Sequence, residues 1–395
     1  MAENTSTHPA PSLTHLFWIF LRLGCTSFGG PVAHLAYFRE EFVQRRRWFT
    51  DQAYADLVAL CQFLPGPASS QVGMGIGLTM GGYRGAVLAW LGFTLPSALL
   101  LIAFAMSLSY GEWLNMGALQ GLKIVAVAVV IQACWGMARQ LCPDTQRQIW
   151  MLLAACCATL ISGISGQLLV IAGGALLGLM YLRAPLPAEP RPEPLLVAGH
   201  KGWLILFAAG LVLLPWLAST GEHWAEIFSS FYRTGSLVFG GGHVVLPLLQ
   251  AEVVPHWVDA ERFMAGYGAA QAVPGPLFTF AAYLGALSHA PEASISAGLL
   301  TVCAIFLPSF LLIFGLLRWW QQVLHIAPAR AAVNGINAAV VGLLLAALYD
   351  PVWTSAIYGP QDFVWLLLAL LALHWAKLPT WLVVIASGSM GAWLL

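Results

Sequence analysis

Apolar runs of membrane-crossing length recur along this chain, separated by short breaks carrying Gly, Pro or polar residues. A helix needs about 20 mostly apolar residues to cross a hydrocarbon core. Runs approaching that length fall at 16–36, 53–80, 85–108, 118–140, 148–163, 166–182, 203–218, 226–250, 264–288, 294–317, 332–349, 363–376 and 379–395. Those at 148–163, 166–182 and 363–376 reach only about 25 Å or less at ~1.5 Å per residue, which suits helical hairpins or interfacial segments. Strand-like alternation over about ten residues, the mark of a membrane barrel, is absent. The pattern predicts an all-α polytopic membrane protein with roughly 10–13 membrane segments.

The breaks repeat. Arg22 and Phe28-Gly29-Gly30-Pro31, followed by Gln62 and Pro65-Gly66-Pro67, return as Arg233 and Phe239-Gly240-Gly241-Gly242, followed by Gln271 and Pro274-Gly275-Pro276. Further mates are Glu41 with Glu252, Trp48 with Trp257, Leu95-Pro96-Ser97 with Leu307-Pro308-Ser309 and Gly121 with Gly335, at offsets of 209 to 214. So small a drift over this distance means duplication. The division expected is a first repeat 1–183, a Pro-rich linker 184–201, an extra apolar segment with its connector 202–225, and a second repeat 226–395. Arg39, Arg45, Arg46 and Arg47 follow the first Phe-Gly-Gly break, whereas Arg262 stands among Glu252, Asp259 and Glu261 after the second. Since Lys and Arg are held on the cytoplasmic side, the asymmetry favours inverted repeats, with the extra run as the odd crossing.

Composition changes the picture only by excluding alternatives. With 59% hydrophobic and 9% charged residues and no net formal charge, the chain cannot cover a water-facing surface, and its surroundings are membrane lipid rather than nucleic acid. The polar start lacks a basic n-region and a small-residue cleavage site, so no cleaved signal peptide is expected. Seven cysteines form no CxxC pair. Neither a disulfide framework, a metal site nor a cofactor is expected, and no nucleophile-and-base spacing suggests an enzyme.

The paired breaks carry the candidate chemistry. Pro-Gly-Pro interrupts a helix, and exposed backbone at membrane depth is tolerated only inside protein or a wet cavity. Pro67 and Pro276 can open new half-helices whose N–H groups and positive dipole ends attract anions. Ser70, Thr279, Gln62 and Gln271 add hydrogen-bonding groups beside them, and Gly29, Gly30, Gly240 and Gly241 let the backbone approach. Arg22 and Arg233 have no acid within a helical turn in their own segments. They are candidates to balance an oxyanion at a midplane site, with Lys123 a further cation lacking a repeat mate. Glu41, Glu252, His34, His243 and Asp56 are the proton-coupling candidates.

The runs Ser27-Phe-Gly-Gly-Pro-Val-Ala-His-Leu-Ala-Tyr-Phe-Arg39, Gln62-Phe-Leu-Pro-Gly-Pro67, Phe239-Gly-Gly-Gly-His243, Ala270-Gln-Ala-Val-Pro-Gly-Pro276 and Asn334-Gly-Ile-Asn-Ala-Ala-Val-Val-Gly342 resemble the chromate ion transporter (CHR) family in its long, two-repeat form. Ala36 departs from the glycine expected after His34. The resemblance covers essentially the whole chain. It implies a multi-pass inner-membrane carrier that expels chromate, a tetrahedral dianion shaped like sulfate, using the proton-motive force and conferring resistance. A sulfate-type uptake carrier and a potential-driven anion uniporter of the same architecture stay open, as does a homodimer.

Overall fold

The computed structural model describes residues 11–110, 116–161, 163–182, 199–288, 293–319 and 326–394, and all regular structure among them is helical. The proline-rich connector 184–194 lies outside the described residues.

The run 16–36 is not a crossing helix. Helix α1 (Leu13–Thr26) stops where Ser27–Gly29 leave helical geometry, and α2 (Gly30–Arg39) restarts with Gly29 at φ +101° and Pro31 in its first turn. Chain direction then reverses: Phe20 meets Phe38 and Phe42 with ring centroids 5.8 and 5.2 Å apart, and Arg46 donates to His15 at 3.0 Å. The two limbs form a re-entrant hairpin whose tip is the Phe-Gly-Gly break. A second hairpin follows. Helix α3 (Asp51–Phe63), capped by Thr50, breaks at Pro65–Pro67, and the first limb of α4 (Ala68–Tyr110) returns with Gly75 against Leu57. A turn at Gly81 and Gly82 reverses the chain again, Gly82 taking φ +61°. The remainder of α4 then crosses beside α1, with Gly85 near Leu16 and Gly92 against Phe17 and Leu21.

Helices α5 (Met116–Leu141), α6 (Thr145–Leu160), α7 (Ile164–Tyr181) and α8 (Gly202–Ala218) lead into the second repeat. There α9 (His223–Leu237) and α10 (Val245–Val253) form one hairpin, and α11 (Ala260–Ala270) with α12 (Phe280–Leu287) forms the other. Asp259 caps α11 as Thr50 caps α3, at the same repeat position. Helix α13 (Ile295–Leu316) is the counterpart of the crossing limb of α4, and α14 (Ala327–Ala347), α15 (Pro360–Leu370) and α16 (Thr380–Leu394) complete the fold. Small residues let helix backbones touch, Gly174 and Gly178 on α14 and Gly117 and Gly121 on α16.

The counterparts α4 and α13 run antiparallel. Tyr83 packs on Phe314, Trp90 on Phe306, and Ile102 lies against Gly298, so rising numbers in one meet falling numbers in the other. The repeats are therefore inverted. Repeat mates also touch each other: a Cβ built on Gly242 would stand 3.3 Å from Pro31 Cγ, which puts the pseudo-twofold axis between them. Helix α8, apolar and with no buried residue, faces lipid and connects opposite ends of the bundle.

The start of α1, the turn at Gly81–Gly82 and the end of α13 gather at one membrane face, here face A. The 254–259 segment, the start of α9 near Ser288 and the start of α13 gather at face B. Hairpins of the first repeat enter from face A and those of the second from face B.

Candidate functional site

The hairpin tips cross over. The Gly66 N–H, in the Pro-Gly-Pro tip of the first repeat, donates to the Val238 carbonyl in the Phe-Gly-Gly tip of the second at 2.7 Å. In return, the Gly275 N–H donates to the Ser27 carbonyl at 2.9 Å. Both Pro-Gly-Pro glycines need positive φ, +118° at Gly66 and +101° at Gly275. Each lies against the serine of the opposite repeat's Leu-Pro-Ser, Ser309 beside Gly66 and Ser97 beside Gly275. Glycine is required at both tips by conformation and by space.

One crossing opens onto a cavity of about 220 Å³ lined by Gly29, Gly30, Pro31, Gln271, Gly275 and His243, with Gln132 of α5 and Thr380 of α16 closing its sides. None of its lining side chains among the described residues is acidic. The α2 N-terminus opens into it at Gly30 and Pro31, and its first-turn N–H groups have no partner within the helix. The segment starting at Leu277 presents a second helix start. Gln271 Nε2 is buried without a protein partner among the described residues, leaving a donor for an oxygen-bearing guest. His243 Nδ1 shares a 2.8 Å hydrogen bond with the Tyr267 hydroxyl. The other crossing is filled instead: Leu141 and Met137 of α5 lie against Gly240, and Met137 against Gly241.

Of the residues singled out in the sequence, this cavity unites Gly29, Gly30, Gln271 and His243. Arg22 and Arg233 need correction. Arg22 Nη2 pairs with Glu41 Oε2 at 2.7 Å, and Arg233 makes a two-pronged pair with Glu252 at 2.6 and 2.7 Å. These guanidiniums are not the free cations expected, because hairpin reversal brings an acid 19 positions away onto the facing limb in both repeats. Glu41 also holds Arg45 and Arg46 at 3.1 and 2.7 Å. Burial alone would raise the Glu41 carboxyl, but the Arg46 hydrogen bond and the charges of Arg22, Arg46 and Arg45 overcome it and hold the group below the usual range. Glu41 and Glu252 are thus structural partners rather than members of the central cavity.

The remaining candidates also fall outside it. Gln62 is exposed, and Asp56 accepts from Gln52 at 2.7 Å on the outer side of α3. Thr279 donates to the Pro276 carbonyl at 2.7 Å, so its hydroxyl hydrogen is committed. Ser70 Oγ is buried without a partner among the described residues, and Pro67 is buried. His34 is buried behind Gly29, 3.2 Å from the Ser27 carbonyl and 3.4 Å from Ser69 Oγ. Lys123 occupies a different cavity, where its ammonium lies 5.1 Å from the Tyr358 ring centroid and 3.4 Å from its hydroxyl. Such a ring contact contributes about 0.5–2 kcal/mol, less than the several kcal/mol needed to take an ammonium from water. Sequence reasoning missed Gln132 and Thr380. Gln132 interrupts the apolar run 118–140 and could have been noticed there; Thr380 reaches the tips only through tertiary packing.

The family described as "Chromate transporter" matches residues 14–179 and again 225–392. The chromate transport protein of Pseudomonas aeruginosa is 29% identical over 415 residues, covering 100% of this chain and 95% of the relative. The chromate transport protein of Cupriavidus metallidurans is 27% identical, covering 98% and 94%, and the probable chromate transport protein of Synechococcus elongatus is 26% identical, covering 97% and 96%. No solved structure matches significantly.

Proposed function

The chain belongs to the chromate transporter family, which makes it a multi-pass membrane transporter rather than an enzyme, and from that premise we propose that it exports chromate across the inner membrane. The crossed hairpin tips carry this reading. They put two helix starts, the Gln271 amide and His243 around one acid-free cavity at the axis relating the repeats. Helix starts and amide donors suit a tetrahedral oxyanion, and the sparing use of full charges lets the guest leave again.

Face A gathers Arg39, Arg45, Arg46, Arg47, Arg84 and Arg318 around the loops and helix ends of the first-repeat hairpins and α13, against Arg262 beside Asp259 and Glu261 at face B. The positive-inside rule makes face A cytoplasmic. A negative interior already favours loss of a dianion. Proton entry through His243, the titratable side chain in the cavity, would add drive and confer resistance against an external excess. In domain terms, 1–183 and 226–395 act as the two inverted halves, joined by the linker 184–201 and by 202–225, which supplies the reversing crossing. Rocking of the halves about the crossed tips alternates access.

The test is chromate efflux from proteoliposomes at clamped potential, with and without a pH gradient, and with sulfate and molybdate as competitors. Efflux that falls several-fold when the pH gradient is collapsed supports proton exchange. Undiminished efflux makes the protein a potential-driven uniporter, and sulfate preference over chromate overturns the substrate assignment.

A further inference from the structure

We propose that the face-B vestibule holds a second anion station, built on Lys123, through which the dianion passes on leaving the central cavity. The inference rests on the carrier reading above and adds a site to it. The vestibule is a cavity of about 1150 Å³ whose walls include Gln120 and Lys123 of α5, Tyr358, and the face-B residues Asp259, Glu261 and Arg262. Lys123 is 5% exposed, and no carboxylate lies within 4.0 Å of its ammonium among the described residues. The acids that share the cavity are engaged or peripheral. Asp362 accepts from Gln120 and from the N–H groups of Tyr358 and Gly359, Asp259 pairs with Arg262, and Glu261 is exposed at the rim.

A buried ammonium that faces this cavity, with the Tyr358 side chain beside it, has no carboxylate in contact with it among the described residues. An incoming anion supplies the counter-charge. Position gives the station its meaning, because α5 lines both cavities. Val129 and Gln132 face the central cavity, while Gln120 and Lys123 face the vestibule, roughly two turns nearer face B at ~1.5 Å per residue. A dianion that leaves the tips along α5 toward face B therefore reaches Lys123 next. The exposed acids at the rim then oppose its retention, so the station is a step of intermediate affinity and not a trap.

The experiment is chromate binding to the purified full-length protein in nanodiscs by equilibrium dialysis, alongside chromate-dependent thermal unfolding and efflux from proteoliposomes. Wild type should bind two chromates per chain, K123Q one, and K123R two. K123Q should export about tenfold more slowly, and it should lose part of the chromate-induced rise in Tm while unfolding no earlier than wild type without ligand. A single site in wild type that K123Q leaves untouched, with unchanged efflux, overturns the second station while leaving the carrier intact. Absence of any chromate binding or transport by wild type overturns the carrier reading itself.

Discussion

At the residue scale, the two arginine–glutamate pairs act as staples between the limbs of the first hairpin in each repeat. Arg233 is 26% exposed at its side chain and Glu252 7%, with two hydrogen bonds between them. Removing one partner of a fully buried pair costs about 3–5 kcal/mol because a charge is left stranded, and partial exposure reduces that cost. Arg233→Ala should therefore destabilise by roughly 2–3 kcal/mol, read as earlier thermal unfolding in detergent. Arg22→Ala should cost less than about 1 kcal/mol, because Arg45 and Arg46 still hold Glu41. Equal losses would contradict the staple assignment. Glu41 also sets a pH dependence. Its carboxyl is held below the usual range when folded, so it adds stability above its unfolded value and loses that contribution as pH falls through the folded one. Glu41→Gln should flatten the acid side of the stability profile measured by melting from neutral pH downward. The sequence displayed both arginines and both acids but hid their pairing, since a spacing of 19 has no meaning on a continuous helix. It acquires meaning only when the chain reverses between them.

At the element scale, the tips decide function. Gly275 adopts φ +101°, and an added Cβ would stand 2.8 Å from Ser97 Oγ and 3.2 Å from the Phe93 carbonyl. Left-handed geometry costs an ordinary residue about 1–2 kcal/mol, before any clash. Gly275→Ala should thus shift the tip away from Ser27 and lower chromate transport at least about tenfold, a change of ~1.4 kcal/mol, while the protein still purifies as a folded species. Transport at the wild-type rate would show that the crossed contact is incidental. Gly82, with open space around its missing Cβ, is the comparison. Gly82→Ala also meets a positive-φ penalty, but without the clash, and it leaves the cavity alone. The breaks themselves were legible, because Pro-Gly-Pro and Phe-Gly-Gly cannot continue a helix. The return of the chain was not, since an apolar run with a break reads alike whether the second limb continues forward or folds back. Only packing such as Phe20 against Phe42 separates the two.

At the scale of the whole molecule, inversion was legible from charge because the stretch after the first Phe-Gly-Gly break carries Arg39, Arg45, Arg46 and Arg47, whereas the stretch after the second carries Glu252, Asp259 and Glu261 beside Arg262. The crossing of tips between repeats was not, since no local pattern says which break meets which. That crossing makes the transport cycle testable. One tip pair frames the open cavity while the other is filled by Leu141 and Met137, so the halves occupy inequivalent states of a symmetric plan. An exchange of those states has to move structure about the axis, and Pro31 and Gly242 flank that axis. A Cβ at Gly242 would lie 3.3 Å from Pro31 Cγ, within reach of a short thiol cross-linker once both positions carry cysteine. The exposed Cys25, Cys156, Cys157 and Cys303 are first replaced by serine. Cross-linking Pro31→Cys to Gly242→Cys should abolish chromate efflux while binding from one face persists, and a cleavable linker should restore efflux on cleavage. Full efflux in the linked protein would mean that the axis stays still during transport, and that access alternates through local motion of the hairpins.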